Sequence, residues 1–233
     1  MRIEQLEELI AGWRKSLCPH IELAGLIARN NTAHKWKVTY RSIVLRELVL
    51  WRFTDLIAQA AYLIRGKHVL GARVLIRSAI ETLAILIYLN QKTAMVLEGK
   101  ENFFRFAEMT SRLMLGSRNQ TTTLEAINIL SVLEKCEKQY PGIVKVYGEL
   151  SESAHPNYDG VCAGYSVVNE KEYRTDFKNR WAEKSGENEL TLLEICARTF
   201  DDEYNEVWPR YFEKLESWLV TNDATLEQQK DCI

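Results

Sequence analysis

Two groups of residues in this 233-residue chain have the types and spacing that chemistry needs. The first is Arg73, Arg77 and Glu81, each four residues after the last, inside the segment 68–89, HVLGARVLIRSAIETLAILIYL. On a helix that spacing sets all three on one stripe. The rest of the segment is the most apolar in the chain, so the stripe must pair its charges or present them to a polar cavity. The second group is 151–160, SESAHPNYDG. It gathers an imidazole, two carboxylates, two hydroxyls and a phenol where a helix stops at Pro156 and a long polar segment begins. His155 supplies an imidazole, the side-chain type best suited to general acid–base work. Its other role would be to cap the helix end.

A third candidate is the basic stretch 29–46, RNNTAHKWKVTYRSIVLR. Lys35, Lys37 and Arg41 have the charge to meet phosphates, and Trp36 or Tyr40 the ring to stack on a base. RNA would be the matching partner, and a solvated helix start is the plainer reading. The stretch belongs to a wider asymmetry. Between Arg29 and Arg77 ten basic residues face only Glu47 and Asp55, whereas from Glu183 onward thirteen acidic residues outnumber five basic ones. Either the first region meets an anionic partner or the two regions neutralise each other.

Other chemistries find little support. Glu152-Ser-Ala-His155 is one Glu-x-x-His pair where a di-iron bundle needs two, so no metal is expected. Gly160-Val-Cys162-Ala-Gly164 imitates a nucleophile elbow without the preceding strand and following helix. No Walker loop, GxGxxG or HExxH occurs, and no cofactor is expected. The five cysteines are odd in number, scattered and without a CxxC pair, which suits a reducing cytoplasm. The N-terminus, MRIEQLEELI, lacks the apolar core of a signal peptide. Residues 74–89 are short for a membrane span and carry Arg77 and Glu81, so a buried helix is expected and no membrane.

The elements that must position these residues read as helices throughout. Apolar residues at three- and four-residue steps predict helices over 2–17, 20–29, 38–65, 68–90, 93–115, 123–139 and 143–154. Gly66 should stop the long helix before the apolar one, so that the two form an antiparallel hairpin. Residues 157–190 show no sustained periodicity and read as a loop or insertion. A last helix, 191–222, begins near Glu189, with Pro209 kinking it near Trp208, and the tail beyond should fray. His20 and His34 read as surface residues. The predicted fold class is all-α: a single-domain helical bundle over 1–233 of about six or seven helices, with a long polar loop before the last helix.

Two pieces of the chain together resemble a family. ARVLIRSAIETLAILIYL, followed far downstream by YGELSESAHPN, is similar to a group of bacterial helical proteins allied to the HEPN superfamily; the resemblance spans roughly 38–157, and the HEPN-like core it implies is 37–156. It implies a bundle of four or five helices, often a homodimer. It also implies a metal-independent ribonuclease or toxin-type effector of toxin–antitoxin or antiphage systems, with a protein partner from the same operon. His155 takes the position of the family's histidine, and Glu81 that of a polar residue on an earlier helix. The family places an arginine four to six residues before its histidine, whereas Glu149, Leu150 and Ser151 stand here. A cation would then have to come from Arg77 or Arg73 on the central helix.

Two functions remain. As a ribonuclease, His155 would be the acid–base for 2′-hydroxyl attack, Arg77 with Arg73 would stabilise the phosphorane, and Glu81 would orient Arg77 or His155. Ser151, Asn157 and Tyr158 would contact substrate beside Lys35, Lys37 and Arg41. As a non-catalytic interaction module (antitoxin, scaffold or regulator), Arg77–Glu81 would be a structural ion pair and His155-Pro156-Asn157 a helix stop.

Overall fold

A computed structural model describes residues 3–230. Among the described residues the fold is all-α apart from one small hairpin and an isolated bridge between Ser117 and Glu125. Its helices are α1 (Ile3–Ser16), α2 (Leu23–Arg29), α3 (Asn31–His34), α4 (Lys37–Arg65), α5 (Val69–Leu97), α6 (Phe103–Leu115), α7 (Ile129–Cys136), α8 (Ile143–Ala154), α9 (Trp181–Asp202) and α10 (Trp208–Lys230). A π-helical turn, Tyr158–Ala163, precedes strands β1 (Ser166–Asn169) and β2 (Arg174–Phe177), and a second π-turn, Glu203–Val207, lies between α9 and α10. No helix among the described residues is long and apolar enough to cross a membrane.

Contacts divide the chain into two compact units. The first comprises Met1–Ser16, Trp51–Ala84 and Leu133–Phe200; the second comprises Leu17–Leu50, Ile85–Val132 and Asp201–Ile233. In the first unit, α1 buries Leu6, Ile10 and Trp13, one side of a helix at steps of four and three. Phe53 of α4 stacks on Phe200 of α9 with ring centroids 3.9 Å apart, and Trp13 meets both edge-on at 5.7 Å. α5 contributes Ala72, Ile76, Ala79, Ile80 and Leu83 to this core, and Arg52 of α4 donates to Thr82 Oγ1 of α5 at 3.1 Å. The turn between α4 and α5 closes through His68 N–H donating to the Leu63 carbonyl at 2.8 Å. Lys67, not Gly66, takes the left-handed conformation there, with φ +58°.

In the second unit, Trp36 packs edge-on against Phe103 at 5.2 Å, and Phe103 meets Trp218 at 5.8 Å. His34, expected at the surface, is buried. It stacks on Phe212, and its ring nitrogens reach Thr39 Oγ1 at 3.0 Å and Glu216 Oε1 at 2.7 Å. Pro209 cannot donate to the carbonyl four residues back, and the π-turn just before it absorbs that break: the Trp208 N–H reaches back five residues to the Glu203 carbonyl.

Several boundaries differ from the periodicity reading. The segment 93–115 is two helices. Gly99, at φ +69°, ends the first stretch, and the Asn102 side chain caps α6 by accepting from the Phe104 and Arg105 N–H groups. α7 is shorter than 123–139. The segment 157–190 is not one loop: it holds the π-turn, the hairpin and the first part of α9, which starts at Trp181. α10 continues to Lys230 instead of stopping at 222.

Candidate functional site

The residues singled out on α5 and α8 lie in the first unit, and α8 decides what the stripe does. Gly142, with φ +98°, turns the chain into α8. The Glu137 carboxylate accepts from the Gly142 and Val144 N–H groups at 2.7 and 2.9 Å, which holds it below its ordinary carboxylate range. α8 then buries Tyr147, Leu150 and Ser153 at three-residue steps.

All three charges of the α5 stripe meet that face. Arg73 donates Nε to Ser153 Oγ at 2.7 Å and Nη2 to the Glu149 carbonyl at 3.1 Å, while its Nη1 forms an ion pair with Glu189 of α9. One side chain thereby joins three helices. Arg77 Nη2 donates to Tyr147 Oη at 2.9 Å, and Tyr147 Oη donates to Glu81 Oε1 at 2.8 Å. The direct Arg77–Glu81 separation is 3.6 Å, so the phenol links the pair more tightly than the charges link each other. Contacts that ascend α5 descend α8, so the two helices run antiparallel along a polar seam. The pairing demanded of charges in an apolar helix is met here by α8 and α9.

Glu189 is the most buried carboxylate of this group, its side chain 2% exposed. Burial pushes its pKa up; the Arg73 guanidinium pulls it down, and Glu149 pushes the same way as burial. Beside it opens a cleft of about 730 Å³, walled among others by Arg73, Glu149, Ser153, Trp181, Lys184 and Glu189. Lys184 lies 3.6 Å from Asp159 across it. Arg77, Glu81 and His155 are not among the cleft's walls.

His155 ends α8 as its C-cap: its backbone N–H donates to the Ser151 carbonyl at 3.2 Å, and its side chain is exposed. Neither Arg77 nor Glu81 has a polar contact with it. Ser151 Oγ turns back to the Tyr147 carbonyl at 2.8 Å. Asn157 donates to the Glu152 carboxylate and accepts from the Gly160 N–H at 3.1 Å, which starts the π-turn. Tyr158 is exposed. Among the described residues no group of three or more His, Cys, Asp or Glu could hold a metal ion.

The basic stretch lies in the second unit. Lys35 pairs with Asp223 at 2.8 Å and Glu227 at 2.9 Å, both of α10, and the carboxylates raise its pKa. Trp36 is buried and donates its indole N–H to Asp223 at 2.9 Å, so its ring is not open to a base. Lys37 is exposed and Arg41 half-buried. Part of the basic run is thus neutralised by the acidic C-terminal region.

Three residues that hold the site together, Tyr147, Trp181 and Glu189, were not singled out from the sequence. Tyr147 carried a usable signal, because it falls three residues before Leu150 and six before Ser153 on one helix face. Glu189 and Trp181 carried none, since they lie in a stretch without apolar periodicity. No protein-family model, curated protein or solved structure matches the chain.

Proposed function

We propose that the chain is a non-catalytic helical interaction module that binds a protein partner, as an antitoxin, scaffold or regulator of a bacterial defence or toxin–antitoxin system would. One observation carries this reading: Arg77 and Glu81 spend their polar contacts on Tyr147, and neither reaches His155. Arg73, the other cation offered to a scissile phosphate, is held by Ser153, the Glu149 carbonyl and Glu189. A phosphoryl-transfer site needs a cation and an acid–base group converging on one atom. Here the cations serve helix packing. Cys162 and Cys196 carry free thiols, which fits action in the cytoplasm.

The second reading is the HEPN-like, metal-independent ribonuclease, and the state of His155 favours it. The imidazole is exposed and makes no side-chain hydrogen bond, so it is open to a 2′-hydroxyl. Arg77, 29% exposed, would then have to approach the phosphate from α5 with Glu81 orienting it. An RNA cleavage assay in chelator, run with wild type and His155→Ala, separates the two. The interaction-module reading expects no cleavage by either protein. Cleavage by wild type that disappears in the variant overturns it in favour of the ribonuclease.

A further inference from the structure

The hairpin is the one sheet among the described residues, and its second strand is exposed at all four positions. β1 is fastened on its own side. It packs on the π-turn, and Arg180 donates to the Ser166 carbonyl at 3.0 Å. β2 pairs with β1 in the register Ser166↔Phe177, Val167↔Asp176, Val168↔Thr175 and Asn169↔Arg174. Lys178 N–H donates to the Tyr165 carbonyl at 3.0 Å, so that pair is a hydrogen-bonded one. In an antiparallel ladder such pairs alternate. Asp176 and Arg174 therefore point their backbone groups at β1, and Thr175 and Phe177 point theirs away from it. Natural proteins blunt such an edge with shortness, charge, proline or a bulge; this strand is short and has no proline, and its two charges, Arg174 and Asp176, are of opposite sign.

We propose that this edge is a self-association surface on which a second copy of this chain adds its own β2, giving a four-stranded sheet about a two-fold axis through Thr175. The charge pattern selects the occupant and the register. The outward backbone groups belong to odd-numbered residues, so a second β2 must set odd opposite odd. Centring on residue 174 would place Arg174 opposite Arg174, and centring on 176 would place Asp176 opposite Asp176; both set like charges face to face. Centring on Thr175 places Arg174 opposite Asp176 twice and Thr175 opposite Thr175, all within the strand Arg174–Phe177. Every cross-strand pair is then of a kind that stabilises a sheet, and the strand is complementary to itself, as a two-fold interface requires. Within one copy Arg174 already leans on Asp176 at 3.0 Å and Glu172 at 2.6 Å, so the same groups need only exchange partners.

The aromatic residues agree. Tyr173 is 97% exposed, Phe177 82% and Val168 68%. Together they show on the order of 400 Å² of apolar side chain, within the range of the largest apolar patch on an ordinary monomer, which is often functional. Tyr173 also holds a left-handed backbone, φ +48°, where glycine or asparagine would sit with less strain. The patch is below the roughly 800 Å² per partner of a stable dimer, so the association is weak and reversible.

Sedimentation of the full chain from about 5 to about 500 µM tests this, with circular dichroism confirming that each variant is folded. The wild type should shift from monomer to dimer across that range. Thr175→Pro removes an outward N–H at the two-fold centre without touching the bonds to β1, and should leave a monomer. R174D sets Asp opposite Asp and should weaken association at least about tenfold; R174D/D176R should restore it. A wild type that stays monomeric throughout, or a dimer indifferent to Thr175→Pro, overturns the surface. Failure of the charge swap to rescue R174D overturns the register. None of these outcomes depends on whether the chain cleaves RNA.

Discussion

Replacing Arg73 with methionine tests whether the stripe is packing rather than catalysis. The substitution keeps much of the aliphatic stem and removes the guanidinium that binds Ser153, the Glu149 carbonyl and Glu189. What remains is a carboxylate 2% exposed with no cation beside it. Breaking a buried ion pair from one side costs about 3–5 kcal/mol. With a urea slope of about 2–3 kcal/mol/M, the unfolding midpoint should fall by about 1–2.5 M at pH 7. The loss should also depend on pH in one direction. Burial already holds the Glu189 pKa above the ordinary carboxylate value, and Arg73 is the group that pulls it down. Without Arg73 it rises further, so the fold favours the protonated acid and is penalised as pH climbs through that raised pKa. Below the unfolded carboxylate range the penalty shrinks to that of a neutral buried polar group, about 1–3 kcal/mol. Urea unfolding at pH 4 and pH 7 reads both numbers. R73M/E189Q should recover part of the loss at pH 7, because a neutral amide replaces the stranded charge. A loss below about 1 kcal/mol, a loss equal at both pH values, or no recovery in the double variant would refute the reasoning.

Two further outcomes follow from local geometry. Gly160→Ala would place a Cβ 1.9 Å from the His155 carbonyl oxygen and 3.0 Å from that of Ser153, both backbone atoms; the end of α8 must shift, and chemical denaturation should show a loss of about 1–3 kcal/mol, with an unchanged midpoint counting against this packing. His34 is held below its ordinary pKa chiefly by burial, with Arg29 acting in the same direction and Glu216 opposing. A group with a lowered folded pKa favours the fold in its neutral form, so its contribution is complete above the unfolded value near 6.5 and is lost as pH falls from there toward the folded pKa. Urea midpoints at pH 7.5 and 5.5 should fall on acidification by more in wild type than in His34→Gln; equal slopes would remove His34 as the cause.

Much of the architecture is local information. The Trp13 face of α1, the length of α4 and both ends of α8, between Pro141-Gly142 and Pro156, follow from spacing and from residues that break helices. The need of Arg73, Arg77 and Glu81 for partners also follows from the sequence, because their apolar neighbours limit the water that can solvate them. What no local pattern contains is which element answers that need. Tyr147 answers Arg77 and Glu81, and Ser153 with Glu189 answers Arg73, from positions 66 to 116 residues away in the chain. α9 escaped notice at its start for a related reason: WAEKSGENEL has no apolar stripe, and it buries Trp181 and Glu189 only because α5 and α8 lie against them. The sequence alone places His34 at the surface because a four-residue helix carries no periodicity, and only α10 closing over it with Phe212 and Glu216 makes it interior. By itself, then, the sequence determined an all-α chain with a charged stripe that must be paired. The tertiary structure decided that the pairing is with α8 and α9 and not with His155, because the partners of buried charges are chosen by which helices cross, and crossing is a property of the packed core.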